Sequence, residues 1–196
     1  MIHKSKFLAA AIMAFATLAV SAAPSSARQD DIMSHIMGQP SLAWNVIGLR
    51  RPARARPAAE VPGGQAVRIE AKQSANQWDI SAGMPVTGDI HAGDVLMLAV
   101  WARVETPPEG QTTARLPAVM IQQNAAPYSP VISGGVNLTS EWKLHFVTGT
   151  SEVDRPNGNA GVTIHLANAN QTIDLGPAFV FNLGQGYDLS KLPANE

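Results

Sequence analysis

Trp142-Lys-Leu-His-Phe-Val147, Val162-Thr-Ile-His-Leu-Ala167 and Gln171-Thr-Ile-Asp-Leu-Gly176 alternate apolar and polar residues with period two. Each run is bounded by Gly, Asn, Pro or Asp, which is how half-buried antiparallel strands read. A closing apolar segment, Phe179-Val-Phe181, follows. Working back toward the N-terminus, Val95-Leu-Met-Leu-Ala-Val-Trp-Ala-Arg-Val104 is nearly continuous in hydrophobicity, as expected of a central strand buried on most of both faces. Further strands are predicted over residues 42–49, 54–61, 66–71, 78–86, 116–123 and 131–138. Turn signals separate them at Pro62-Gly63-Gly64, Gly88-Asp89, His91-Ala-Gly-Asp94 and the loop 106–113. The prolines in 54–61 mark an edge strand. About nine or ten short strands without a repeat period fit an all-β antiparallel sandwich, with a closed barrel as the alternative. One short N-terminal helix is predicted over residues 31–38, where Ile32/Ile36 and Met33/Met37 are spaced i, i+4 and Gly38 stands at the stop.

Residues 1–27 read as a cleaved secretory signal rather than as part of the fold. Lys4 and Lys6 form a basic start, residues 7–20 an Ala-rich apolar run, and Val20-Ser-Ala22 or Ser25-Ser-Ala27 a small-residue exit. The apolar run is short for a membrane span. The expectation is export, to the periplasm or beyond, with no membrane insertion after cleavage. Residues 28–196 are then a single domain, long enough for one core. The chain contains no cysteine, so neither lipoprotein acylation nor disulfides enter. Removing Lys4 and Lys6 leaves 12 basic against 15 acidic side chains, a net of −3, which gives no electrostatic reason for a nucleic-acid partner. Arg50, Arg51, Arg54 and Arg56 are a local exception, read as the solvated charge that keeps an edge strand from pairing with other chains.

Three patterns, in order, resemble carbohydrate-binding modules of the family 4/9 type. They are Val61-Pro-Gly-Gly-Gln-Ala-Val-Arg68, then Asn76-Gln-Trp-Asp79 leading into His91-Ala-Gly-Asp-Val-Leu-Met-Leu-Ala-Val-Trp-Ala-Arg103. The third is Ser140-Glu-Trp-Lys143 continuing to Phe146, with the final Gln171-Thr-Ile-Asp-Leu-Gly176. The resemblance spans roughly residues 60–184 and implies a jelly-roll β-sandwich that binds carbohydrate without chemistry. Two departures stand out. Asp174 is followed by Leu-Gly-Pro177 where many members continue with a second acid, and no Asn-Gly-x-Phe-Glu opening is present. Both weigh against the structural calcium of several such modules, so no cofactor is expected. Pro177 itself points to a bent or edge position.

Sugar sites combine aromatic faces with a few convergent amide, Arg or His groups. If Leu96, Leu98 and Val100 point inward, Trp101 and Arg103 point outward; the same alternation puts Gln122, His145 and His165 on a non-core face. The bland reading of that set is an ordinary solvated face. The resemblance adds Trp78, flanked by Asn76, Gln77 and Asp79, and Tyr128 lies on a loop at the strand ends as a rim contact. Trp44 and Trp142 read as core. The five His, at 3, 35, 91, 145 and 165, are widely spread, and Gly-x-Ser-x-Gly, His-Glu-x-x-His and phosphate-loop patterns are absent. The expectation is an exported module that binds a poly- or oligosaccharide, alone or beside a separately encoded glycoside hydrolase. The alternatives are a glycosidase or polysaccharide lyase on the same shell, and an envelope or adhesion subunit.

Overall fold

The structure, a computed structural model, describes residues 32–38 and 41–193. The proposed signal segment 1–27 lies outside them. Ten strands form two five-stranded antiparallel sheets. The strands are β1 Asn45–Ile47, β2 Arg54–Pro57, β3 Gln65–Ala71, β4 Ser81–Pro85, β5 Asp94–Thr106, β6 Ala114–Gln123, β7 Pro130–Leu138, β8 Lys143–Thr150, β9 Ala160–His165 and β10 Gln171–Gln185. One sheet runs β1-β4-β9-β6-β7 and the other β2-β3-β10-β5-β8. The sandwich expected from the alternation is therefore present. Its core lies between the sheets and includes Leu96, Leu98 and Val100 of β5, Val119 and Ile121 of β6, Val162 and Ile164 of β9, and Ile173 and Leu175 of β10. Trp44 closes this core, its Nε1 donating to the Gly176 carbonyl at 2.9 Å.

The β2-β3-β10-β5-β8 sheet is covered on its outer face as well. Val95, Met97 and Ala99 of β5 and Phe181 and Leu183 of β10 form a second apolar layer, joined by Ile32, Ile36, Tyr187 and Leu192 from the two ends of the described chain. This explains the unbroken hydrophobicity of residues 95–104: both faces of β5 are buried. It also reverses the expected phase of β8. Leu144 and Phe146 lie outside, half-buried against the second layer, while His145 is 3% exposed and points inward. His145 pairs in register with core-facing Val100, so its side chain shares that inward face. A Leu-His-Phe run has the same alternation either way round. What decides is the apolar layer on the outside, which takes the two large side chains.

Two other elements differ from expectation. Over residues 32–38 the helix shortens to a single turn, with His35 N donating to the Ile32 carbonyl at 3.0 Å; Asp31 lies outside the described residues. Ile36 then pairs with Phe181, so a segment read as helix does the work of a bridge that covers a sheet. The segments 171–176 and 179–181 are one strand, β10, and it is central rather than at an edge. Its register slips between Leu175 and Ala178, so Pro177 falls in a bulge where its missing N–H breaks no ladder bond. Gly176 is needed there: a Cβ would lie 2.8 Å from the Cβ of Trp101.

Arg54, Arg68, Asp174 and Arg103 stand side by side across β2, β3, β10 and β5. Asp174 is fully buried. Its Oδ1 and Oδ2 accept from Nε and Nη2 of Arg68 at 2.7 and 2.9 Å, and Oδ2 accepts from Nε of Arg103 at 3.0 Å. Glu105 lies against Nη2 of each arginine at 2.7 Å, so these two nitrogens are shared between Asp174 and Glu105. A buried carboxylate is tolerated because planar guanidinium forks satisfy both of its oxygens. Asp174→Ala is expected to cost about 3–5 kcal/mol in urea unfolding, since it strands two half-buried cations. Arg56→Ala, whose Nη1 stands 3.9 Å from Asp174, is expected to cost less than about 1 kcal/mol.

Candidate functional site

The outer face of the β1-β4-β9-β6-β7 sheet is free of any apolar cover among the described residues. Since Ala82, Met84, Val119, Ile121, Val162 and Ile164 point to the core, their neighbours point out. The registers arrange these neighbours in rows across the strands. One row is Ile47–Ser81–His165, the next Asn45–Gly83–Thr163–Met120–Ser133, and the third Pro85–Gly161–Gln122. Ser81, Gly83, Ser133, Gly161 and Thr163 are small, Met120 is a large but buried side chain among them, and Ile47, His165 and Gln122 are the larger side chains of the outer rows.

Trp78 rises at one end. It sits in a single 3₁₀ turn, Gln77–Asp79, that is tied on both sides. The Trp78 carbonyl accepts from Ser81 Oγ at 2.7 Å, and the Gln77 carbonyl accepts from Ala167 N at 3.0 Å. The Asp79 carboxylate accepts from the Ser74 hydroxyl and from Asn76 N, and these bonds hold its pKa below the ordinary carboxylate value. The turn is thus fixed while its indole stays 55% exposed. That ring meets His165 edge-on, with centroids 6.1 Å apart and planes at 62°. Burial lowers the His165 pKa, which keeps its imidazole neutral at pH 7. Neutral imidazole both donates and accepts, the combination that suits a hydroxyl.

Gln122 lies toward the other end, half-buried, four residues along β9 from His165 by register, or about 13 Å. Beyond it the β6–β7 loop carries Tyr128, 57% exposed and held at φ 57°. A left-handed conformation costs a non-glycine residue about 1–2 kcal/mol, so the loop is holding this ring in place against its own preference.

Of the seven residues expected at a site, Trp78, His165 and Gln122 share this face and Tyr128 stands at its rim. Trp101 and Arg103 belong to the opposite sheet, because β5 and β6 are in different layers. Trp101 is half-buried against Ala58, Val61 and Ala66, and Arg103 is engaged by Asp174 and Glu105 and stacks 5.2 Å from the centre of the Trp142 ring. Trp142 itself packs in that outer cluster rather than in the core. His145 is enclosed between the layers. Thr163 was legible two residues before His165, in the same alternation, whereas Asn45 and Ser133 carry no local signal. Among the described residues no group of three or more His, Asp or Glu side chains is set to hold a metal ion.

No protein-family profile and no curated protein matches the sequence. Solved structures do match in fold. The N-terminal cellulose-binding domain of Cellulomonas fimi β-1,4-glucanase C superposes with a TM-score of 0.53 at 18% identity, covering 76% of this chain and 96% of that one. The second N-terminal cellulose-binding domain of the same enzyme gives 0.52 at 18%, over 77% and 93%. The CBM22-1–GH10 portion of Clostridium thermocellum xylanase 10B, complexed with xylohexaose, gives 0.50 at 10%, over 76% of this chain and 29% of that one. At these identities the likeness establishes a shared β-sandwich fold, that of carbohydrate-binding modules.

The depressed His165 pKa sets a pH dependence. The unfolded chain takes up this proton near pH 6.5 and the folded chain does so only at lower pH. Stability is therefore expected to fall as pH drops below about 6.5, and His165→Gln should remove that part of the slope in thermal melts between pH 7 and 5.

Proposed function

We propose that the open face of the β1-β4-β9-β6-β7 sheet binds a β-linked polysaccharide without catalysing its cleavage. The observation that carries this reading is the rigidly mounted, exposed Trp78 set edge-on to neutral His165 at the end of a low polar floor. An indole offers a flat apolar surface to the C–H face of a sugar, and the amide, hydroxyl and imidazole groups along the rows match its hydroxyls. Tyr128 at the far rim supports a ligand longer than one sugar ring. The polar residues of the rows are Asn, Ser, Thr, Gln and His, whereas hydrolysis by paired carboxylates needs two acids facing the bond. That two structures of the same fold are named as cellulose-binding and a third holds xylohexaose supports β-1,4-linked glycans as the ligand class.

The biological setting follows the same reading. The basic start and apolar run of residues 4–20 support export, to the periplasm or the medium, where polysaccharide is met. The GH10 enzyme that carries a fold of this kind supports action beside a glycoside hydrolase. The test is calorimetry with cellohexaose and xylohexaose. Hydrogen bonds to hydroxyls exchange for bonds to water at a net gain of about 0.5–1.5 kcal/mol each, so the ring contact should dominate. Trp78→Ala is expected to weaken binding about 10- to 100-fold with an unchanged melting temperature, and Gln122→Ala by less. Undiminished binding by Trp78→Ala would remove the site from this face.

A further inference from the structure

Around the edge from Trp78, on the other side of its turn, lies a cleft of about 760 Å³ between the β1–β2 loop and the end of β3. Its walls carry five cations, Arg50, Arg51, Arg54, Arg68 and Lys72, against two acids, Glu70 and Asp79. Arg68 is committed to Asp174 and Glu105, and Asp79 to its own turn. Arg50, Arg51, Arg54 and Lys72 are exposed and form no ion pair with the described residues. A chain of net charge −1 thus concentrates four uncommitted cations around one concavity.

Protection of an edge strand accounts for Arg54 and Arg56, which lie on β2 at the sheet edge. It does not account for Arg50 and Arg51, which precede β2 on the loop, or for Lys72, which follows β3. These come from separate segments and converge on the same space. Their loop is also held in position: Gly48, at φ 81°, passes so close to the Asp79 carbonyl that a Cβ would overlap that oxygen. The loop can follow this path only with glycine there.

We infer that this cleft binds an acidic polysaccharide through the carboxylate or sulfate groups spaced along it. Its volume is that of a site for a few sugar units rather than for a single small anion. Several cations on two walls suit a polymer that presents charge repeatedly, and guanidinium forks match carboxylate and sulfate oxygens in pairs. Leu49, Pro52 and Ile80 supply apolar surface between them. The cleft does not use the open face, so either site can fail without the other.

The experiment is calorimetry of the full chain with polygalacturonate, with dextran sulfate, with neutral dextran and with a DNA duplex, at low and at physiological salt. Binding of polygalacturonate or dextran sulfate is expected, weakening several-fold as salt rises; the first would place carboxylate and the second sulfate in the cleft. Arg50→Ser/Arg51→Ser should reduce it at least tenfold with unchanged melting. Glu70→Gln should raise it, a gain that a structural role for these residues would not produce. No binding to either acidic polymer at low salt would overturn the inference. So would affinity untouched by the double substitution, or DNA bound as tightly as the acidic glycans.

Discussion

Asp174 is the point on which the covered sheet turns. It lies on the central strand β10 with Arg68 on one side and Arg103 on the other, and its carboxylate binds both across the ladder. That bond pattern holds β3, β10 and β5 at one register, and a slip by one residue would present Ile173 or Leu175 to the cations instead. Two residues further, the Gly176-Pro177 bulge lets Trp101 cross close to the backbone and gives Trp44 its carbonyl partner. From that point on, the outer face of the sheet changes from charged to apolar, and segments from both ends of the chain lie over it.

Covering one sheet determines which face remains for a ligand. The β2-β3-β10-β5-β8 sheet spends its outer surface on the arginine–carboxylate group, the Trp101–Trp142 cluster and the apolar layer under Ile32, Ile36 and Leu192. The other sheet keeps its outer surface low and polar, and its aromatic groups are held by loop backbone at the two ends rather than by core packing. Trp78 and Tyr128 are both more than half exposed, yet each is fixed by hydrogen bonds of its turn. Such preorganisation lowers the entropy lost when a ligand binds.

The strands themselves were legible, because alternation and turn residues are local properties. Residues 95–104 announced a strand buried on both faces, and the structure shows the two apolar layers that bury it. Alternation gives only the relation between neighbours, so it cannot say which phase is inward when both phases contain apolar residues. That is why the alternation alone puts His145 on the outer face, where the structure places Leu144 and Phe146 instead. Nor does it say which strands share a sheet, and so Trp101 and Arg103 were grouped with Gln122 and His165 across two layers. The deciding contacts join residues far apart in sequence, such as Ile36 with Phe181 and Arg68 with Asp174. The turn that mounts Trp78, by contrast, is local: Asn76, Asp79 and Ser81 all lie within three residues of it.

The proposed function depends on the open face of the β1-β4-β9-β6-β7 sheet meeting carbohydrate. Its most direct measurement is a titration of the ¹⁵N-labelled chain with cellohexaose and xylohexaose, followed through the backbone amide and indole NMR signals. Shifts are expected to concentrate at the Trp78 indole, Thr163, His165, Ser133 and Gln122, with the Trp101 and Trp142 indoles unmoved. Shifts centred on Trp101, Trp142 and Arg103, with the Trp78 indole unmoved, would contradict it.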